Sequence, residues 1–220
     1  MKRTKKRLLS FMLGLTAICT VFGLTACDSP TDQVYSEGLE YTLLVDENGY
    51  SVTGIGTCQD KKLVIPATYN NLPVAAIGDY AFYYCDNLTS VSIGNSVITI
   101  GYAAFGGCTN LTSVVIPDSV TTIGDAAFGD CTNLTSVVIP DSVTTIGDSA
   151  FAWCTSLTSV IIPDSVTTIG SRAFRECTSL QDIQFTGTVE EWNAILKGSN
   201  WNYTESSVTK VVCLDGEVAI

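Results

Sequence analysis

A 23-residue unit that repeats five times in tandem constrains the fold more than any other feature of the chain. Three consecutive units begin with Ile-Pro-Asp-Ser-Val-Thr-Thr-Ile-Gly, at Ile116, Ile139 and Ile162. A unit this short cannot bury its own apolar face, but stacked copies bury one continuous core. The sequence therefore predicts a repeat solenoid. Its five units are Asn70–Ser92, Ile93–Val115, Ile116–Val138, Ile139–Ile161 and Ile162–Gln184.

The spacing of apolar residues predicts the local structure of each unit. Val137 and Ile139 follow a period-two pattern, which is typical of a β-strand, and Pro140 ends the pairing because it has no N–H to donate. A second extended segment, Val143–Ile146, stops at Gly147. Residues at the spacing of one helical turn follow, namely Ala150, Phe151, Cys154 and Leu157. We therefore expect a mainly β solenoid whose units each add short strands and a one-turn helix.

The segments on both sides of the repeats are expected to cap the open ends, because unpaired strand edges bind other chains. A partial unit that ends at Ile65-Pro66 precedes the repeats. After them, Thr188 and Glu191 form a capping-box pattern that predicts a helix over 189–197, and a strand is expected over 207–214. The expected segments are a signal peptide at 1–26, a polar tether at 27–38, an N-terminal cap and partial repeat at 39–69, the five repeats at 70–184 and a C-terminal cap at 185–220.

The first 27 residues have the layout of an export signal. The basic segment Met1–Arg7 precedes an apolar run, Leu8–Thr25, that is also long enough to remain as a membrane-spanning helix. Leu24-Thr25-Ala26-Cys27 resembles the lipobox of bacterial lipoproteins, which implies cleavage before Cys27 and a lipid on its thiol. We therefore expect an exported chain that is anchored to the cell membrane through lipid on Cys27 and faces outside. Asp28 leaves the membrane leaflet open, since this position retains some lipoproteins at an inner membrane.

The charge and composition argue against two classes of function. The chain has 11 basic and 22 acidic residues, and five of the basic ones lie within the first seven positions. The remainder is strongly acidic, whereas nucleic-acid binding needs a basic patch. The sequence has no histidine, which is the usual general base and a common metal ligand. We expect no nucleic-acid binding, no enzyme activity, no cofactor and no metal.

One cysteine recurs in every unit, and this column has two interpretations. Its members are Cys85, Cys108, Cys131, Cys154 and Cys177. Even spacing in an exported chain could indicate disulfides. Buried reduced thiols are favoured instead, because each cysteine follows a core phenylalanine by three residues. Stacked equivalent residues also point their Cβ atoms the same way, which suits a disulfide badly.

An aligned column of acidic residues also has two interpretations. Its members are Asp118, Asp141 and Asp164. A stack of carboxylates could bind calcium, but one carboxylate per unit supplies too few oxygen ligands. We favour turn residues that face solvent, since aspartate side chains bond their own backbone in turns.

The repeat resembles that of the BspA-like leucine-rich repeat family of bacterial cell-surface proteins. Ile116–Val138 carries the pattern Ile-Pro-Asp-Ser-Val-x-x-Ile-Gly-x-x-Ala-Phe-x-x-Cys-x-x-Leu-x-x-Val. The segments Glu37–Leu43 and Thr186–Ile195 resemble the flanking segments of that family, so the resemblance extends over residues 37–218. It implies a leucine-rich repeat fold and an extracellular recognition or adhesion module, although fold alone does not define function.

Comparison of the units with one another points to a candidate ligand surface. The framework columns barely change, whereas exposed columns of the helical turn vary and include Tyr, Trp and Arg, the residue types enriched at binding hot spots. Neutral drift on a solvated face would give the same variation. The candidates are Tyr80, Tyr83, Tyr84, Tyr102, Trp153, Arg172 and Arg175. A second candidate is an apolar stripe on the strands, which β-propensity alone also explains; it consists of Val115, Val138 and Ile161.

These features predict a lipid-anchored surface protein that recognises an extracellular protein or glycan, and the family resemblance implies a role in adhesion. The alternative is a structural envelope lipoprotein that holds another component of the same cell surface and has no external ligand. The two differ in a measurable way. An adhesin binds a host component saturably, whereas a structural lipoprotein co-purifies only with its own envelope.

Overall fold

The structure is a computed structural model that describes residues 35–202 and 208–220. The expected signal peptide, the lipid attachment site at Cys27 and most of the expected tether lie outside the described residues. The described part forms a β-solenoid, in which each repeat contributes two short strands and a series of tight turns. No helix in this part is long and apolar enough to cross a membrane.

Short strands dominate the described residues, and one helix lies near the C-terminal end. The strands of the first half are β1 (Glu40–Leu43), β2 (Tyr50–Gly54), β3 (Lys62–Val64), β4 (Thr68–Tyr69), β5 (Leu72–Ile77), β6 (Ser90–Ser92), β7 (Thr99–Ile100), β8 (Ser113–Val115) and β9 (Thr122–Ile123). The elements of the second half are β10 (Ser136–Val138), β11 (Thr145–Ile146), β12 (Ser159–Ile162), β13 (Thr168–Ile169), β14 (Asp182–Phe185), α1 (Val189–Ala194), β15 (Leu196–Lys197), β16 (Lys210–Cys213) and β17 (Gly216–Ala219).

One face of the solenoid is a continuous sheet with one strand from each repeat. Its order is β1-β2-β5-β7-β9-β11-β13-β15, and β4 pairs with β5 beside this path. Equivalent residues of successive units pair in parallel, so that Ile100, Ile123 and Ile146 form one ladder. This register is the direct result of the repeat length, because each strand meets the identical position of its neighbour.

The second face is divided into two sheets. β3, β6 and β8 form one, and β10, β12, β14, β16 and β17 form the other. At the junction the Thr135 N–H donates to the Thr112 carbonyl over 3.5 Å. The equivalent bonds in the adjacent units are shorter, at 2.9 Å from Thr112 to Thr89 and 3.0 Å from Thr158 to Thr135. Strand pairing is therefore weakest between β8 and β10.

The third face consists of tight turns, so the prediction of a one-turn helix in each unit is wrong. The backbone N–H groups of Ala126, Phe128 and Asp130 donate to carbonyls of the next unit, whereas the intervening N–H groups donate three residues back. A helix would direct each amide back along its own segment and leave this face without bonds between units. Ala126 and Asp130 instead take left-handed φ angles of 52° and 58°. We call this surface the turn face.

A stack of phenylalanine rings runs through the centre of the core. Its members are Phe82, Phe105, Phe128, Phe151 and Phe174. Neighbouring ring centroids are 5.0–5.4 Å apart, the ring planes are nearly parallel, and all five side chains are fully buried. Truncation of one such ring to alanine costs about 3–5 kcal/mol in protein cores. The stack therefore couples each unit to its neighbours.

The recurrent cysteines lie beside this stack as free thiols, as predicted. The Cys131 Sγ donates to the Phe105 carbonyl of the preceding unit at 3.2 Å, and Cys108, Cys154 and Cys177 make equivalent bonds. Burial raises the pKa of Cys108 to about 12 and holds the pKa of Cys131 well above its ordinary value. Cys85 differs from the others in being only partly buried.

The helix α1 closes the C-terminal end and begins with the predicted capping box. The Glu191 N–H donates to Thr188 Oγ1 at 3.3 Å, and the Thr188 N–H donates to Glu191 Oε2 at 2.8 Å. The bonds that the Thr188 N–H and hydroxyl donate to the Glu191 carboxylate lower the pKa of this carboxyl below its ordinary value of 4.5. The helix ends at Ala194, earlier than expected, because Leu196–Lys197 pair with β13 as strand β15.

Antiparallel strands lie at both ends of the solenoid. β1 pairs with β2 at the N-terminal end, and β16 pairs with β17 at the C-terminal end. The expected final strand over 207–214 is present as β16, within shorter bounds. β17 was not predicted. These pairs occupy ladder edges that would otherwise be open to other chains.

Candidate functional site

Two adjoining cavities on the turn face form one shallow trough. Their volumes are about 130 and 290 Å³, and both are lined by Ala126, Gly129 and Asp130. We call the joined cavities the turn-face trough. Its walls are Tyr80, Tyr83 and Tyr102 on the N-terminal side and Trp153, Arg172 and Arg175 on the C-terminal side. Between the walls the lining side chains are small, apart from Asp130.

The first wall belongs to a cluster of four exposed tyrosines. The ring centroids of Tyr80 and Tyr102 are 5.0 Å apart, and those of Tyr83 and Tyr84 are 4.3 Å apart. The Tyr80 and Tyr83 rings meet at 5.3 Å in an edge-on arrangement. Hydrogen bonding with Tyr102 raises the pKa of Tyr80, and hydrogen bonding with Tyr84 raises the pKa of Tyr83. The cluster presents phenol hydroxyls, which can donate and accept hydrogen bonds, beside flat aromatic faces.

Two glycines in the next unit make room for this tyrosine cluster. A Cβ atom on Gly106 would lie 3.1 Å from the Tyr83 ring, and one on Gly107 would lie 2.5 Å from the Tyr84 ring. Real Cβ contacts are almost never as short as the second distance. The large side chains at 83 and 84 thus occupy space that is free because the next unit has glycines in the stacked positions.

The second wall combines an exposed tryptophan with two arginines. The Arg175 guanidinium carbon lies 6.0 Å from the centre of the Trp153 ring, within the range of a cation–π interaction. The Arg175 Nε is 3.8 Å from Glu176 Oε1, which is an ion pair but not a hydrogen bond. That Nε is buried and has no hydrogen-bond partner among the described residues. Arg172 is exposed.

The backbone between the two walls is rigid and already hydrogen-bonded. Along this floor the N–H groups of Ala103, Gly107 and Ala126 donate to carbonyls of the following unit at 2.8 Å. Ala103, Ala126 and Ser149 all have left-handed φ angles, between 46° and 55°. Such angles are unfavourable for residues with a Cβ and persist only when the surroundings impose them. The floor is therefore held in place by the stack and offers few free backbone donors.

The apolar strand stripe lies outside the trough. Val115 and Val138 are exposed, at 63% and 62%, whereas Ile161 is partly buried. Val138 and Ile161 pair directly between β10 and β12, but Val115 belongs to the other sheet. The structure therefore separates the two predicted surfaces, and the turn-face residues line the trough.

The described residues contain no group of three or more His, Cys, Asp or Glu side chains that could hold a metal ion. Asp118, Asp141 and Asp164 are each exposed in the turns that follow the strands. Four of the five recurrent cysteines are buried and hydrogen-bonded to the preceding unit, namely Cys108, Cys131, Cys154 and Cys177. The trough is therefore the strongest candidate for a functional site in this part of the chain.

Residues that the sequence predicted as candidates lie on both walls, but the sequence did not show how the two walls meet. Tyr84 belongs to the tyrosine cluster but is not part of the cavity lining, and Asp130 and Gly129 occupy the shared centre. A signal for the arrangement is present in the sequence. Tyr83-Tyr84 is followed one repeat later by Gly106-Gly107, so large and small residues alternate in stacked positions.

The comparison with protein families decides the identity of the repeat. A model of the BspA type leucine-rich repeat region matches residues 75–196 in six copies. The chain belongs to the BspA type leucine-rich repeat family. The matched span runs past the fifth unit and ends at Leu196, the first residue of β15, which pairs with β13 as a further strand of the same sheet.

Solved structures of three other proteins agree with this fold. A leucine-rich repeat protein of T. pallidum is 32% identical, with a TM-score of 0.65, over 79% of this chain and 84% of that one. A leucine-rich cell surface protein of Faecalibacterium prausnitzii is 31% identical, with a TM-score of 0.64, over 73% and 41% of the two chains. The pneumococcal vaccine antigen PcpA shares the fold at 19% identity and a TM-score of 0.61, over 82% and 49%. No curated protein gave a significant match.

Membership of the BspA type family places the chain among leucine-rich repeat proteins of bacterial cell-surface type. The family pattern accounts for the Phe, Cys and Ile ladders of the core. It does not account for the trough walls, because Tyr83, Trp153 and Arg175 occupy columns that hold glycine or alanine in other units. The chemistry of the trough therefore belongs to this chain and not to the repeat.

Proposed function

We propose that this BspA type protein is exported, is anchored to the cell membrane through lipid on Cys27, and recognises a partner outside the cell through the turn-face trough. The observation that carries the proposal is the trough itself, with an aromatic wall and a cationic wall on either side of a floor of small residues. The lipobox-like segment Leu24–Cys27 supports the anchor, and the surface character of the family supports the location.

The exposure of the aromatic side chains supports a binding role. Tyr80 and Tyr84 are 53% and 61% exposed, and Trp153 is 46% exposed. Exposed rings of this size cost solubility, yet the repeat framework does not need them, because other units have small residues in the same columns. Tyr and Trp provide large rigid contact areas together with a polar group, which is why they dominate binding hot spots.

The rigidity of the trough supports recognition by a preformed surface. Its floor is bonded to the neighbouring units on both sides, so little conformational entropy is lost when a partner binds. Catalysis is not part of the proposal, because the trough lining has a single carboxylate, Asp130, and no histidine or cysteine that could act with it. We therefore propose adhesion or another form of surface recognition.

The binding experiment compares the full-length protein with a Tyr84→Ala/Tyr102→Ala/Trp153→Ala variant. Both are tested against extracellular matrix proteins, mucins and isolated bacterial envelope in a surface-immobilised assay. We expect saturable binding to a host component that weakens at least about tenfold in the variant, as truncation of hot-spot residues does. The matched control is Val115→Thr/Val138→Thr, which removes exposed apolar surface from the strand stripe and keeps β-propensity.

The outcomes separate the two predicted functions and the two predicted surfaces. Loss of binding in the control variant alone would move the site to the strand stripe. Binding to the envelope fraction alone would favour the structural lipoprotein. Thermal denaturation of all three proteins shows whether a loss of binding reflects a loss of folding.

A further inference from the structure

The two arginines of the trough are unusual because positive charge is rare in this chain. Only six basic residues follow Leu8. Two of them, Arg172 and Arg175, lie three residues apart in the same unit and on the same wall. Lys210 is already paired with Glu217 at 2.6 Å, and Lys197 donates to the Trp192 carbonyl at the end of α1. Because the rest of the protein is acidic, an anionic group of a ligand would be attracted to these two arginines.

The guanidinium groups of both arginines have few hydrogen-bond or ion-pair partners among the described residues. Arg175 has only the 3.8 Å contact with Glu176 and a tryptophan ring as partners, and its Nε makes no hydrogen bond among residues 35–202 and 208–220. Arg172 forms no ion pair with the described acidic residues. Guanidinium groups bind carboxylates through two parallel hydrogen bonds, and such bonds are stronger than those between neutral groups. Because the Arg175 Nε is buried, the donors available to a carboxylate are the terminal N–H groups of the two guanidinium groups.

Asp130 limits where the negative charge of a ligand can lie. It lines both cavities and is exposed at the centre of the trough. A carboxylate there would be repelled, whereas one at the second wall would be attracted. At the first wall the ligand meets tyrosine rings and their hydroxyls. The trough thus suits a ligand that is acidic at one end and neutral along the rest of its length.

The floor of the trough favours a glycan over an extended peptide. Peptides that add to a sheet or ladder bind through its free backbone groups. Here the backbone N–H groups of Ala103, Gly107 and Ala126 are already bonded to the next unit. Sugar rings instead use flat aromatic faces and side-chain donors, which both walls supply. Tyr83 and Arg175 are four units apart, roughly 19 Å at the strand spacing of stacked repeats, so the trough is long enough for several rings.

We infer that the turn-face trough binds an oligosaccharide that ends in a carboxylate-bearing sugar. The carboxylate lies between Arg172 and Arg175 beside Trp153, and the neutral rings extend past Asp130 towards Tyr83 and Tyr102. This inference rests on the proposed function, because it assigns a ligand class to the same surface.

The test uses isothermal titration of the full-length protein with sialyl-lacto-N-tetraose, whose chain ends in one acidic sugar. The matched probe is lacto-N-tetraose, which has the same neutral rings and no carboxylate. We expect binding of the acidic sugar to be at least about tenfold tighter, the effect of one charge-assisted hydrogen-bond pair. Arg172→Gln/Arg175→Gln should abolish this preference and leave any weak binding of the neutral sugar.

The matched control variant is Lys61→Gln/Lys62→Gln. This variant also removes two positive charges, here from an exposed segment of the N-terminal cap, so it changes the net charge by the same amount as the arginine variant. We expect it to retain full preference for the acidic sugar. Equal loss in both variants would show a general electrostatic effect and overturn the inference.

Three further results would also overturn it. Equal affinity for the two sugars would remove the role of the carboxylate. Binding of an acidic peptide at the same arginines, with no binding of either sugar, would assign the trough to a protein partner. No binding of either sugar by a protein that still binds a host component in the panel would reject the glycan and leave the proposed function in place.

Discussion

At the residue scale, the exposed tyrosines and the glycines beneath them form interdependent pairs. Gly107 has a φ angle of +71°, and an added Cβ would meet the Tyr84 ring. Gly129 is different, since its φ lies outside the left-handed region and an added Cβ would meet only ordinary contacts at 3.4 Å or more. The backbone and the Tyr84 ring therefore require glycine at 107, whereas neither the backbone angle nor the space requires it at 129.

Replacement of these glycines by alanine should have opposite effects. We expect Gly107→Ala to lower the free energy of unfolding by about 1–2 kcal/mol, because a left-handed residue gains a Cβ. It should also change the near-ultraviolet circular dichroism, because the Tyr84 ring must move. Gly129→Ala is the matched control, and we expect its stability to be unchanged or slightly raised. Urea denaturation measures both. A Gly107→Ala protein as stable as the wild type would contradict the close contact.

The variable columns could be identified from the sequence, because internal repeats show which positions tolerate change. The left-handed conformation of Ala126 and Asp130 could not. Neither residue type favours it strongly, and the apolar spacing of Ala, Phe and Cys suits a helix. The deciding interaction is the hydrogen bond to the next unit, which is absent from any pattern within a single unit.

At the element scale, identical sequences form unequal contacts. β8 and β10 both contain Ser-Val-Val, yet they belong to different sheets. Val114 in β8 is partly buried, whereas Val137 in β10 is fully buried. Because the two strands have the same sequence, their own residues do not determine where the sheets divide. The boundary therefore could not have been predicted, although the strands could.

The division predicts a local difference in amide exchange. The Thr135 N–H bond to the preceding unit is longer than the equivalent bonds of Thr112 and Thr158. We expect its amide to exchange roughly three- to tenfold faster than theirs, as for the weakening of one hydrogen bond. The comparison is internally controlled, since all three threonines are exposed and occupy the same repeat position. Equal protection, measured by hydrogen-exchange NMR, would show that the two sheets are continuous in solution.

At the scale of the whole molecule, the solenoid was predictable because one local pattern recurs with a fixed length. Each ladder in the core follows from the spacing of Ile, Phe and Cys in one unit. The trough required the structure, because it depends on side chains from different units that meet only after stacking. Tyr83 and Arg175 are far apart in sequence, yet they face the same cavity pair.

The proposed anchor at one end of the molecule predicts a cysteine-specific modification. Cells grown with an alkyne-bearing fatty acid should label the full-length protein, and Cys27→Ser should abolish this label because the acylated thiol is lost. Two or more acyl chains suffice for stable anchoring. Cys19→Ser is the matched control, since Cys19 lies in the expected signal peptide and should not affect labelling. Persistent label on the Cys27→Ser protein would contradict lipidation at that residue.

The contact between Tyr83-Tyr84 and Gly106-Gly107 has a consequence for how such an array can change over generations. Duplication or recombination of a single unit would place a tyrosine pair above a unit with other side chains, or leave a glycine pair uncovered. Only the exchange of two adjacent units preserves the fit. The unit of inheritance for this surface, and the unit to shuffle in an engineered library, is therefore a pair of neighbouring repeats.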